Sequence, residues 1–185
     1  RATGRVLVAL VTAAPVLPGA RAFVSKVREL CPQVETIVQN INAGQTSLVL
    51  GPHSEVLYGP GYIHEQLGDF TFRISPRAFY QINPVQTEVL YRTALDYAGL
   101  TGKETVVDAY CGTGTIGIFA SRNAARVIGV ENNRDAVRDA ISNAKANRAD
   151  NVRFYTADAS DFLQDMAKAG EHADVIILDP PRAGS

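Results

Sequence analysis

Residues able to do chemistry lie in the second half of the chain, each at the end of a predicted strand. The first group, Asp108-Ala109-Tyr110-Cys111-Gly112-Thr113-Gly114-Thr115, follows a short apolar run. Gly112 and Gly114 let the backbone turn sharply and approach a ligand, because neither has a Cβ. Asp108 adds a carboxylate, and the third glycine of dinucleotide-binding loops is missing. The loop therefore favours a cationic ligand over a pyrophosphate.

Two further carboxylates, Glu131 and Asp158, follow the next two predicted strands. Glu131 could accept hydrogen bonds from both hydroxyls of a ribose, and Asp158 could bind an adenine amino group. Each of the two, taken singly, could equally cap a helix. The carboxyl ends of parallel strands meet at one edge of a sheet, so the three features together predict a site for S-adenosylmethionine, which carries a sulfonium cation.

A fourth strand is followed by Asp179-Pro180-Pro181-Arg182. Two successive prolines fix an extended backbone, which can hold the Asp179 carboxylate and a carbonyl against a planar base that has left its stack. A simple turn at the end of the strand is the alternative. The position next to the glycine loop favours a contact with the substrate base by Asp179, Pro180 and Arg182.

The elements that position these groups alternate after Lys103. Strands are predicted at 105–109, 126–130, 152–156 and 173–178, and helices at 115–122, 134–146 and 159–168. This order predicts an α/β fold, with a partial Rossmann-like, doubly wound parallel sheet in a domain from 76 to 185. A helix from 83 to 99 precedes it, with Val85, Val89 and Ala98 among its apolar positions.

Residues 1–75 predict a small α+β domain. Its β-type runs are 6–11, 37–42, 46–50, 55–58 and 70–74, and one helix at 20–30 stops before Pro32.

Composition excludes several classes of protein. The 18 basic and 19 acidic residues give a pI near 6.3, so the totals show no electrostatic footprint for nucleic acid. Cys31 and Cys111 are too few for a cysteine-rich metal cluster, and we predict no metal site. No apolar run reaches the roughly 20 residues of a membrane span. We therefore expect a soluble, cytoplasmic protein without a membrane partner.

Three motifs together resemble the RNA uracil-5-methyltransferase family, which makes 5-methyluridine in ribosomal and transfer RNA. They are Phe79-Tyr80-Gln81-Ile82-Asn83, the Asp108 to Thr115 loop, and Asp179 to Gly184. The segments 8–12, 36–42 and 57–63 are similar to the central domain of its bacterial 23S ribosomal RNA branch. The resemblance implies 23S ribosomal RNA as the first choice of substrate, with transfer RNA as the alternative.

The resemblance also implies site residues. Gln81, Tyr110, Glu131 and Asp179 would line the S-adenosylmethionine site, with Thr115 as a further contact. Phe79 would pack against the target base, although Phe79 and Tyr80 could equally be core aromatics.

In this family a cysteine thiolate adds at carbon 6 of uracil, and a glutamate later removes the carbon 5 proton. Both residues would lie beyond Ser185, so we expect a chain truncated at both ends that binds cofactor without catalysing transfer. Cys111 matches a cofactor-loop cysteine of the family, and a small packed residue is its favoured interpretation.

Two alternatives stay open. One is a methyltransferase for amino groups of adenine or guanine, although Arg182 stands where an aromatic residue is usual. The other is a non-catalytic module that binds nucleotide or RNA. An unpaired sheet edge left by missing strands would also allow dimerisation.

Overall fold

The computed structural model describes residues 2–44 and 49–180. The chain divides into two compact units, Arg1–Glu65 with Ile74–Arg77, and Gln66–Arg73 with Ala78–Ser185. The predicted domain boundary at residue 75 lies in the stretch where the two units interleave. Within the described ranges, no helix is long and apolar enough to cross a membrane.

The first unit is built on a three-stranded sheet. Strand β1 (Val6–Thr12) pairs in parallel with β2 (Val34–Ile41), and β2 pairs antiparallel with β3 (His53–Tyr58). Helix α1 (Ala20–Leu30) connects β1 to β2. The central strand β2 is the most buried because it has a neighbour on each side, and it carries Ile37 and Val38 in the core. The predicted strand at 46–50 falls mostly outside the described residues, and Val49 and Leu50 lie in a bend.

A two-stranded sheet of β4 (Ile63–Leu67) and β5 (Phe70–Ile74) follows. Strand β4 was not predicted, because His64, Glu65 and Gln66 interrupt the apolar pattern.

The second unit is a four-stranded parallel sheet in the order β8-β7-β6-β9. The strands are β6 (Thr105–Ala109), β7 (Arg126–Glu131), β8 (Val152–Thr156) and β9 (Val175–Leu178). The helices are α2 (Pro84–Ala98), α3 (Thr115–Ala120), α4 (Arg134–Ala146) and α5 (Ala159–Lys168). The order reverses direction at β6, which creates the switch point where such sheets bind ligands.

Alternate side chains of the parallel strands feed two separate cores. Val106 and Val127 pack with Phe119 of α3, whereas Val107 and Ile128 pack with Met166 of α5. Near-continuous apolar strands are expected when both faces of a sheet are covered.

Helix α2 leaves two of its apolar residues exposed. Val85 and Val89 are 69% and 54% exposed, and the buried residues of the helix are Thr87 and Tyr91. Tyr91 lies in the aromatic core beside Phe119, at a centroid distance of 5.6 Å. The helix ends were predicted well, since Asn83 caps the first turn and Gly99 adopts φ 59° after the last.

We expect Asn40→Ala to destabilise the first unit by about 2–4 kcal/mol, because it leaves several buried polar groups without a hydrogen-bond partner. The fully buried Asn40 amide donates to Gly51 O, His53 O and Ser54 Oγ, and accepts from the Gly51 N–H. Urea unfolding gives the free energy. Asn42→Ala, which removes exposed bonds to Val49 O and from the Gly44 N–H, is the control and should cost less than 1 kcal/mol. Equal losses in the two variants would contradict this account.

Candidate functional site

A cleft opens at the carboxyl ends of β6 and β9. Most of the predicted residues meet here. The lining includes Phe79, Gln81, Asp108, Tyr110, Gly112, Thr115 and Asp179.

The glycine loop leaves β6 and enters α3 through three residues with positive φ. Tyr110, Gly112 and Gly114 have φ of 63°, 54° and 79°. A Cβ on Gly114 would lie 2.6 Å from Cζ of Phe154, so this glycine is required by packing. A Cβ on Gly112 would meet nothing within 4 Å. Gly112 lines the cleft, and a side chain at this position would meet open space.

Glu131, the last residue of β7, braces the loop. Its Oε2 accepts from the Gly112 N–H at 3.1 Å, and its Oε1 accepts from the Asn133 N–H at 2.8 Å. The carboxylate thus touches the cleft lining through Gly112. A contact between Glu131 and a ribose stays a prediction.

Asp158 caps helix α5, which was the alternative that the sequence left open. Its Oδ1 accepts from the N–H groups of Ser160 and Asp161, at 2.8 and 3.2 Å. Such a cap stabilises the helix. Binding of an adenine amino group by Asp158 stays a prediction.

Gln81 and Asp179 form a pair across the cleft. The Gln81 Nε2 donates to Oδ2 of Asp179 at 3.3 Å, which joins the segment before α2 to the end of β9. Pro180 follows Asp179 in the cleft-side loop, and Pro181 and Arg182 lie outside the described residues.

Phe79 and Tyr80 have different environments. Both line the cleft, but Phe79 is 70% exposed, whereas Tyr80 is half-buried and packs toward Phe72 with centroids 6.4 Å apart. Phe79 is the more exposed aromatic residue of the pair.

Asp108 is only 1% exposed, and its Oδ2 accepts from the Gly117 N–H at 2.9 Å. Burial raises the pKa of Asp108 from 3.8 to about 8, and the charges of Asp179 and Glu131 act in the same direction. The hydrogen bond from Gly117 opposes the shift. Three carboxyl groups therefore surround the loop, which suits a cationic ligand.

Cys111 is buried, and burial raises the pKa of its thiol well above the ordinary value, with Asp108 and Glu131 adding to the effect. A neutral, enclosed thiol is a poor nucleophile.

Tyr91 is a cleft residue that the sequence did not indicate. Its hydroxyl lies 2.8 Å from Oγ1 of Thr115, and burial raises its pKa to about 12. Its position inside an ordinary helical run carried no signal. Tyr91 fixes the Thr115 hydroxyl at the start of α3.

The family model described as conserved hypothetical protein 95 matches residues 88–185, about half of the chain and most of the second unit. The chain belongs to this family. The matched segment contains β6 to β9 and the glycine loop, so the family relationship covers the sheet edge that forms the cleft.

Two curated bacterial relatives match nearly the whole chain. An uncharacterized RNA methyltransferase of Halalkalibacterium halodurans is 44% identical over 182 residues, which is 98% of this chain and 40% of the relative. An uncharacterized RNA methyltransferase of Clostridium tetani has the same identity and coverage. The chain thus spans about 40% of the length of the curated relatives it matches.

Solved structures confirm the predicted α/β fold. The tRNA (uracil-54, C5)-methyltransferase of Pyrococcus abyssi, in complex with S-adenosyl-L-homocysteine, superposes with a TM-score of 0.72. It is 27% identical, over 97% of this chain and 41% of that one. A putative SAM-dependent methyltransferase of Streptococcus mutans shares the fold at a TM-score of 0.55 and 16% identity, over 95% of this chain and 46% of that one.

We expect Gly114→Ala to destabilise the second unit by more than Gly112→Ala. Both changes place a side chain at positive φ, which costs about 1–2 kcal/mol. Only the Gly114 change also forces Phe154 to move, which adds roughly 1–3 kcal/mol of overpacking. Thermal and urea unfolding measure the difference. A Gly112→Ala variant that is as unstable as Gly114→Ala would refute the assignment of open space at Gly112.

We also expect the free energy of unfolding to decrease as the pH rises from about 4 to about 8, because of Asp108. The native state holds the Asp108 proton up to about pH 8, whereas the unfolded chain releases it near 3.8. Protonation stabilises the native state below this window, and each pH unit across it removes about 1.4 kcal/mol. Asp108→Asn keeps an acceptor for the Gly117 N–H without titrating. Urea unfolding of both proteins at pH 5 and pH 8.5 should show the smaller loss in the variant, and parallel losses would count against a raised pKa.

Proposed function

We propose that the chain forms the S-adenosylmethionine site of an RNA methyltransferase that acts on carbon 5 of uracil. The observation that carries the cofactor assignment is the cleft at the switch point of the parallel sheet. There Gly112 leaves room for a ligand, and the carboxylates of Glu131 and Asp179 lie near the protonated Asp108 carboxyl group.

The chemistry of these groups fits this cofactor. Burial raises the pKa of Asp108, and the charges of Asp179 and Glu131 add to the shift. Sulfonium and ammonium cations would offset the contribution of these two charges. Glu131, which already accepts from the Gly112 N–H, would also accept from the ribose hydroxyls. Thr115, held by Tyr91, offers a hydroxyl at the base of the cleft. A dinucleotide would instead bring a pyrophosphate toward these carboxylates, which is unfavourable.

Relatives support the assignment to RNA. The two bacterial relatives are named RNA methyltransferases, and the Pyrococcus abyssi enzyme is named for carbon 5 of uracil in transfer RNA. The identity of 27% over 97% of the chain gives this neighbour more weight than the fold alone. The sequence resemblance favours 23S ribosomal RNA, with transfer RNA as the other candidate.

The residues of this chain would bind and orient the two reactants. The bound cofactor supplies the methyl group. Exposed Phe79 would stack on the target uracil at the mouth of the cleft. Asp179, oriented by Gln81, and Pro180 would contact the edge of the base, and Arg182 would join them.

The thiolate for carbon 6 and the base for the carbon 5 proton must come from other residues. Cys111 is buried and held neutral, so it does not supply the nucleophile. The resemblance assigns both roles to a cysteine and a glutamate other than those of this chain, which stays a prediction.

A second candidate is methylation of an exocyclic amino group of guanine in ribosomal RNA. It is favoured by the match to the conserved hypothetical protein 95 model, which is connected with 16S ribosomal RNA N2-guanine methylation. An amino group could donate to the Asp179 carboxylate and to the carbonyl of Pro180. This reaction needs no cysteine.

Cofactor binding is tested on the chain itself with S-adenosyl-L-homocysteine and calorimetry. We expect binding by the wild type and at least a tenfold loss in Gly112→Ala, because the new methyl group enters the cleft. Gly102→Ala is the matched control, since Gly102 also has positive φ and open surroundings but lies before β6, at the opposite end of the strand. Lack of binding by the wild type, or equal losses in the two variants, would refute the cofactor site.

The reaction is tested with the whole protein that contains this chain and RNA labelled with tritium at carbon 5 of uridine. Methylation at carbon 5 releases the tritium, and the product nucleoside is identified by mass spectrometry. Methyl transfer to guanine without tritium release would overturn the uracil assignment in favour of the second candidate. Cofactor binding without any methyl transfer to RNA would favour a binding module. The isolated chain should bind cofactor without releasing tritium.

A further inference from the structure

Asn143 on α4 connects the glycine loop, which runs from Asp108 to Thr115, to strand β5. Its side chain is 1% exposed. Its Oδ1 accepts from the Arg73 N–H at 2.6 Å, and its Nδ2 donates to Arg73 O at 3.2 Å and to Thr113 O at 3.0 Å. The two amide hydrogens thus meet two carbonyls that belong to distant parts of the chain.

Asn147, one turn later, makes a matching clamp that does not include the loop. Its Oδ1 accepts from the Thr71 N–H at 3.0 Å, and its Nδ2 donates to Thr71 O at 2.7 Å. Nδ2 also donates to Asn143 O at 2.8 Å within the helix. The two asparagines therefore pair with the backbone of β5 as a neighbouring strand would. They differ in that Asn143 also reaches Thr113.

Thr113 lies between two glycines with positive φ, so the conformation of this segment needs fixed points outside it. Glycine has more accessible conformations than other residues, and a loop with two of them loses much entropy on ordering. Gly112 is held by Glu131, and the Gly114 N–H donates to Cys111 O at 2.8 Å. The Thr113 carbonyl is held by Asn143, which orients the peptide between Thr113 and Gly114.

We infer that Asn143 is a positioning residue of the cofactor cleft, which fixes the Thr113 carbonyl and thereby presents the Gly112 side of the loop to the ligand. Asn143 is not among the residues that line the cleft. It acts through Thr113, which does line it. The inference rests on the proposed binding of S-adenosylmethionine.

The test compares Asn143→Ala with Asn147→Ala in the full chain. Both variants lose a clamp on β5, which is buried at Asn143 and half-buried at the C-cap residue Asn147. We expect both changes to lower the free energy of unfolding, with the larger decrease in Asn143→Ala. Calorimetry with S-adenosyl-L-homocysteine should show at least tenfold weaker binding for Asn143→Ala and less than threefold for Asn147→Ala. Asn143→Ser, which keeps a small polar group, serves as a second variant should the alanine variant fail to fold, and the same weak binding is expected.

A spectroscopic readout separates positioning from general destabilisation. With glycine labelled by ¹⁵N, the amide resonances of Gly112 and Gly114 should shift in Asn143→Ala without ligand and stay unchanged in Asn147→Ala. If the wild type binds and both variants lose affinity equally, with unshifted loop glycines, the positioning role is overturned. Absence of binding by the wild type would instead overturn the proposed cofactor site.

Discussion

The hydrogen bond from the Gly117 N–H to the buried Asp108 carboxyl, at 2.9 Å, joins the end of β6 to α3. The whole glycine loop lies between these two residues, so this hydrogen bond holds the two ends of the loop together. Gly117 has to be a glycine for this contact, because a Cβ there would lie 2.9 Å from the same carboxyl oxygen and 3.3 Å from Val127. The closeness of helix and strand that brings the loop to the sheet edge thus depends on one small residue and one buried acid.

Burial of that acid also sets the electrostatics of the cleft. A carboxyl group without solvent and near two other carboxylates is held protonated to about pH 8, so the free protein limits its own negative charge. A cation in the cleft would favour the ionised form of Asp108. Binding of a cationic ligand is therefore expected to be coupled to the release of a proton. Burial likewise raises the pKa of the Cys111 thiol, with the charges of Asp108 and Glu131 adding to the effect, so the thiol stays neutral. These surroundings are unsuited to a nucleophilic thiolate.

Sequence predicted the second unit well where the signals were local. Strands β6 and β8 and helices α4 and α5 begin and end at the predicted residues, since apolar runs, the caps Asn133 and Asp158 and a few turn residues define them. The residues of the cleft were found because strand ends share one edge of a parallel sheet.

Contacts between distant segments gave no such signal. Val85 and Val89 are exposed because helix α2 packs through Tyr91, which lies beside Phe119. The role that we infer for Asn143 depends on its hydrogen bonds to Arg73, which is distant in sequence. An asparagine inside a helix, read by itself, indicates only weak helix propensity.

Glu131 and Asp158 each follow a strand, and each could cap a helix or bind a ligand. Their hydrogen bonds differ. Asp158 uses one oxygen for two N–H groups of the helix that it caps, a local arrangement that any α5 at this position would favour. Glu131 divides its oxygens between the helix side, at the Asn133 N–H, and the glycine loop, at the Gly112 N–H. The hydrogen bond from the Gly112 N–H to the carboxylate is charge-assisted and stabilises the loop. Glu131 therefore connects β7 to the glycine loop, whereas Asp158 contacts the helix that it caps.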